Sequence, residues 1–179
     1  KLLCFQNRVT YYEREGEESS YDAQIRRLRL RFDGYVGNPK FQYVLQLSFS
    51  PGDVGKLEDG GNINIIRDAA ITYRPNKNWN FVFGQTKLPG NRQRINSSGS
   101  LQLTDRSINN ANFNIDRDFG VQAYYLNEFK NDFSYNIKTA ISPGNGRNKT
   151  EEDTNVALTA KLELLPFGTF SKGGDYFEG

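Results

Sequence analysis

The 179-residue chain has no methionine and no histidine, and its only cysteine is Cys4. Each absence removes a class of chemistry. Without histidine there is no Ser-His triad, no His-ligated metal and no His acid/base pair. One cysteine permits neither an intrachain disulfide nor a Cys-based zinc site. Cys4 is therefore expected to sit inertly in a wall. No stretch approaches the 18 or so consecutive apolar residues of a membrane-spanning helix. A net charge of +2 gives no bulk attraction to nucleic acid. A chain that begins at Lys1 and lacks Met reads as processed or partial, so segments are expected beyond one or both ends. No catalytic residue, cofactor, metal or nucleic-acid partner is expected.

What is present is aromatic and polar at once: aromatics make up 13% of residues, and the mean hydropathy is −0.71. The dominant pattern is strict alternation, the mark of strands with two unlike faces. Phe41, Tyr43, Leu45, Leu47 and Phe49 alternate with Gln42, Val44, Gln46 and Ser48. Leu28, Leu30 and Phe32 alternate with Arg27, Arg29, Arg31 and Asp33. Eight strands are predicted, at 2–12, 23–36, 40–50, 62–73, 78–85, 119–126, 132–142 and 154–165. Most have about the 9–11 residues that a tilted strand needs to cross a bilayer core. Little helix is expected; the loop after the fifth strand is the one place for a short one.

The connections alternate between long and short without exception. Short ones carry turn chemistry, as in Gly37-Asn38-Pro39 and Pro75-Asn76-Lys77. A meander with short turns at one end and long loops at the other is the layout of an outer-membrane barrel. Aromatics also sort by end. Phe41, Tyr43, Tyr73, Trp79, Phe81, Tyr125, Phe133 and Tyr135 fall on the short-turn side, and Tyr11, Phe49 and Phe83 on the other. Such girdles match the two membrane interfaces. The fold class is therefore all-β, a transmembrane antiparallel up-and-down β-barrel; a soluble β-sandwich is the competing architecture.

If apolar positions meet lipid, the other face lines a lumen. Its expected anion-guiding residues are Arg8, Arg27, Arg29, Arg31, Lys138 and Lys161, opposed by Asp33 and Glu163. Arg27, Arg29 and Arg31 would stand about 6.6–6.8 Å apart along one strand face. That ladder could hand an anion from rung to rung, since conduction needs binding that is favourable but multi-site. The alternative is a solvated basic face neutralised by Asp33 or Glu163. The loop 86–118, about 33 residues, exceeds the usual length of unstructured loops. It either folds into the lumen, making Lys87, Arg92 and Arg94 constriction residues, or lies on the outer surface. The carboxylates of 53–59 lack the EF-hand spacing and read as plain loop.

Specific passages resemble the phosphate-selective porin O and P family. They are the hairpin Arg26-Arg27-Leu28-Arg29-Leu30-Arg31-Phe32-Asp33-Gly34 with Phe41–Leu47, then Asp68-Ala69-Ala70-Ile71 and Gly84-Gln85-Thr86-Lys87-Leu88-Pro89-Gly90. Arg117-Asp118-Phe119-Gly120-Val121 and Leu164-Leu165-Pro166-Phe167-Gly168 are similar too, so that the resemblance runs from about residue 6 to 179. It implies a sixteen-strand outer-membrane porin, of which these eight strands are the N-terminal half, and trimeric assembly. It also implies passive diffusion of anions such as phosphate through an Arg-lined pore. The expected location is the bacterial outer membrane. The expected partners are outer-membrane lipid, small anionic solutes, and either a homotrimer or envelope-complex subunits. The rival function is a structural barrel subunit of a larger envelope assembly, with an incidental or plugged pore.

Overall fold

Period-two sequence becomes strand wherever a ladder partner is available, and here every neighbour in sequence is a neighbour in space. The computed structural model describes residues 2–13, 16, 18–54, 65–97, 101, 106–148 and 155–169. Its strands are β1 (Leu2–Tyr12), β2 (Ser20–Val36), β3 (Asn38–Ser48), β4 (Ile66–Tyr73), β5 (Trp79–Lys87), β6 (Arg117–Asn127), β7 (Ser134–Ser142) and β8 (Ala157–Leu165). They form one antiparallel eight-stranded sheet in the order β1 to β8, an up-and-down meander. Among the described residues the sheet is open, with β1 and β8 as its two edges, and three short helices interrupt the loops: α1 (Pro51–Val54), α2 (Arg92–Ile95) and α3 (Ile108–Asn112). No helix among the described residues is long and apolar enough to cross a membrane, which has no bearing on crossing by strands.

The expected strands all form, with shifted ends. The ladder continues through Thr86↔Asp118 and Lys87↔Arg117, so the long loop spans 88–116 and Lys87 belongs to β5. The expected strand starts at 62 and 154 lie outside the described residues. β2 is longer than expected, at 17 residues. Its residues 20–27 have β1 as their only strand partner among the described residues.

Turn chemistry closes the short connections. Gly37 takes φ +66 between β2 and β3. Asn76 Oδ1 accepts from the amides of Asn78 and Trp79, both at 3.0 Å. Ser134 Oγ accepts from Phe129 N at 2.7 Å. In the long loop, Asn91 caps α2 by accepting from Arg94 N, and Ser107 caps α3 by accepting from Asn110 N.

The two faces differ as the alternation requires. Phe41, Tyr43, Leu45, Ile71, Phe83, Val121, Ile137 and Ile141 are exposed on one side. Arg29, Ser48, Asp68, Asn80, Gln122 and Asn136 are buried on the other. This inverts a soluble core, because the polar side is the covered one. Phe41 stacks on Tyr73 at 4.7 Å between ring centres, and Trp79 meets Phe81 at 5.6 Å and Tyr125 at 5.1 Å. Tyr125 and Phe133 then meet Tyr135, extending the band along the short-turn end.

Candidate functional site

The covered face carries a cavity of about 430 Å³ beneath the β5–β6 loop. Strands β1 to β6 supply its floor: Cys4, Arg29, Arg31, Gln46, Arg67, Asp68, Thr86, Lys87 and Arg117 among others. The loop supplies its roof with Arg94, Ile95, Ser97 and Arg106. The long loop therefore lies across the polar face.

Two departures from regular strand geometry build the floor. Gln46 pairs with Asp68 and Leu47 with Ile66, which leaves Arg67 as an extra residue in a bulge. A bulge re-aims a side chain, and both Arg67 and Asp68 reach the cavity although they are consecutive. The second departure is at Gly84, whose φ is +118. A Cβ there would lie 2.3 Å from Ala69 O. Beyond it, consecutive Thr86 and Lys87 both line the cavity.

Seven cations line the cavity: Arg29, Arg31, Arg67, Lys87, Arg94, Arg106 and Arg117. Among the described residues four aspartates engage them. Arg117 grips Asp68 with two bonds, Nε to Oδ1 at 2.9 Å and NH2 to Oδ2 at 3.1 Å. Thr86 Oγ1 adds a third donor to Asp68 at 3.0 Å. Asp116 pairs with Arg94 and, at 3.2 Å, with Arg117. Asp53, on α1, binds Arg29 and Arg67, each at 2.5 Å. Asp33 binds Arg31 at 2.9 Å. Among the described residues, positive charge remains in excess.

Lys87 and Arg106 carry that excess most openly, since carbonyls hold them rather than carboxylates. Lys87 Nζ donates to Ile95 O at 2.8 Å and to Asn96 O at 3.2 Å. Arg106 donates to Gln93 O at 3.0 Å and to the same Asn96 O at 2.8 Å. Burial, then the neighbouring Arg94, Arg27, Arg29 and Arg117, push the Arg106 guanidinium down to about 10. An added anion would relieve that repulsion. Burial raises the Asp53 carboxyl, but Arg67, Ser48 and Arg29 outweigh it and hold it at about 2. Asp116 is likewise depressed: burial opposes, but the Arg94 bond and Arg117 prevail.

The expected residues divide. Arg29, Arg31, Lys87 and Arg94 meet at the cavity. Arg27 is buried on the same face but bonds to Gln6. Arg8 faces Asp22 across β1–β2 at 3.9 Å. Arg92 is exposed on α2, away from the cavity lining. Lys138 and Lys161 share Glu163 at 2.6 and 2.7 Å on β7 and β8. The arginine row of β2 is thus real, but its members have internal partners. Sequence reasoning missed Arg67, Asp68 and Asp53. The adjacent Arg67-Asp68 pair inside an otherwise apolar strand was the available signal for the first two.

A meander with one exposed apolar face, one covered cationic face, and its long loops gathered at one end defines the class of pore-wall β-sheets. Within that class the chain belongs to the phosphate-selective porin O and P family, whose sequence model matches residues 4–164. Of the Leu164–Gly168 passage, only Leu164 lies inside the matched span. No curated protein and no solved structure matches the chain.

Proposed function

We propose that the chain forms part of the wall of a bacterial outer-membrane porin through which small anions, phosphate among them, diffuse passively. The carrying observation is the cavity on the polar face, where seven cations meet one loop. Family membership supplies the membrane setting, and lipid covers the apolar face in this reading. The β5–β6 loop narrows the lumen. Arg29, Arg31, Lys87, Arg94 and Arg106 bias entry toward anions by fixed charge, and Arg forks hold oxyanions in pairs. Arg27, Arg8, Lys138 and Lys161 add positive potential elsewhere along the wall, and Arg92 stands outside the constriction. Assembly as a trimer belongs to the same proposal.

Reversal potentials in planar bilayers under a potassium chloride gradient test this. The wild-type protein is expected to prefer chloride. Lys87→Gln, Arg106→Gln and the triple exchange of Arg27, Arg29 and Arg31 to Gln should each lower that preference. Unchanged selectivity in all three sinks the reading, and absent conductance favours a structural envelope subunit instead.

A further inference from the structure

Asp53 is held in an unusual way for a loop carboxylate. Its Oδ2 accepts from Arg29 Nε at 2.7 Å, Arg29 NH2 at 2.5 Å and Ser48 Oγ at 2.7 Å. Its Oδ1 faces Arg67 NH1 at 2.5 Å. These donors come from three adjacent strands, β2, β3 and β4, and all three side chains lie on the polar face. Asp53 itself comes from α1, a single turn closed by its own amide and that of Val54 on Ser50 O. The strands present the donors, and the single turn α1 inserts an anion among them.

The guanidinium of Arg67 has more to give than Asp53 takes: among the described residues, its Nε is buried without a hydrogen-bond partner, as are, on residues that bond the same turn through other atoms, Ser50 Oγ and Arg147 NH1. Arg147 already reaches the same turn, its NH2 donating to Asp53 O at 2.5 Å. A buried donor left without an acceptor is costly, and an added oxygen would supply one. A carboxylate brings two oxygens in one plane, whereas a tetrahedral oxyanion brings up to four, pointing in different directions.

We propose that Asp53 is a tethered placeholder in an oxyanion site made by Arg29, Arg67 and Ser48, which a tetrahedral oxyanion occupies by displacing the carboxylate. The inference rests on the reading of the chain as an anion-passing porin. It assigns the β3–β4 loop a role that the fixed charges lack. A tethered competitor acts at an effective concentration in the millimolar range. It therefore keeps a strong arginine site from trapping its solute, and conduction needs binding that is weak enough to release.

The test uses inorganic phosphate as the probe, added to the full-length protein conducting chloride in a bilayer. The quantity read is the phosphate concentration that halves the chloride current. Asp53→Asn keeps the shape and the turn but removes the charge, and should lower that concentration severalfold, because an uncharged amide competes less well for the two guanidinium groups. Asp22→Asn removes the same charge beside Arg8, away from the cavity, and should change it less than twofold. An unchanged or higher concentration in Asp53→Asn overturns the proposal and makes Asp53 a strut for α1.

A second measurement needs no variant. In the wild-type protein, phosphate should speed amide exchange at Asp53 and Val54 severalfold over chloride alone. Unchanged or slower exchange under phosphate that blocks the current overturns the displacement. If phosphate leaves the wild-type current untouched, the placeholder idea is refuted, while the wild-type reversal potential still decides independently whether the pore selects anions.

Discussion

At the scale of single residues, buried charge is arranged so that each arginine fork has a defined acceptor. The Asp68 and Arg117 side chains retain only 5% and 4% exposure and share two bonds. Breaking the pair from one side leaves Arg117 only its Asp116 contact at 3.2 Å, so Asp68→Ala should cost about 1–3 kcal/mol. Urea unfolding of the protein in lipid vesicles reads that loss, and a change under 1 kcal/mol would contradict the pairing. Asp53 adds an acid dependence. Its folded value of about 2 lies below the ordinary 3.8, so its stabilisation is complete above about pH 4 and fades as pH falls toward 2. Unfolding midpoints measured at pH 5 and at pH 2.5 should differ less in Asp53→Asn than in wild type. Much of this chemistry was legible beforehand. Alternation alone put Arg29 and Arg31 on the polar face, and the length of the 86–118 loop singled out Lys87 and Arg94 along with Arg92, which stands outside the cavity lining. Asp53 was not legible, because its role depends on a turn folding back over strands β2 to β4, and local spacing does not encode that return.

At the scale of elements, the strands follow from period-two patterning, while the bulges and kinks do not. Register on a two-faced strand is strongly specified, which is why all eight strands were readable and only their ends moved. Arg67 escaped because an extra residue in β4 lets two neighbours share a face. The Phe119–Leu126 segment was apolar on both sides in sequence; pairing with β5 and β7 sends Phe119 and Val121 outward and Gln122 inward. Gly84 and Gly120 are cross-strand partners. Added Cβ atoms would lie 2.3 Å from Ala69 O and 2.2 Å from Ile141 O. At Gly84 the positive φ adds strain for any other residue. Gly84→Ala should therefore destabilise by about 1–3 kcal/mol from backbone strain alone, read as a lower urea midpoint. A neutral effect would mean that β4 and β5 part more easily than their ladder implies.

At the scale of the whole molecule, the sheet separates two environments. Val121 is 52% exposed on the apolar face. In a bilayer, Val121→Arg should cost about 2–4 kcal/mol if that position is near mid-plane, whereas Thr72→Arg, at a similar level on the polar face and outside the cavity, should fold normally. Equal penalties, measured as vesicle-folding yields, would remove the distinction between the faces. The arginine-lined cavity should be wet and draw anions, and the chain carries its own probe. Cys4 is a free thiol on the polar face, pairs with Arg29 and lines the cavity. The most direct measurement compares its modification by an anionic and a cationic methanethiosulfonate in the wild-type protein in vesicles, each rate divided by that with a small free thiol. Cys4 should react, with the anionic reagent favoured severalfold; a thiol that neither reagent reaches would mean a dry cavity, and one that the cationic reagent reaches faster would mean a cavity that does not draw anions.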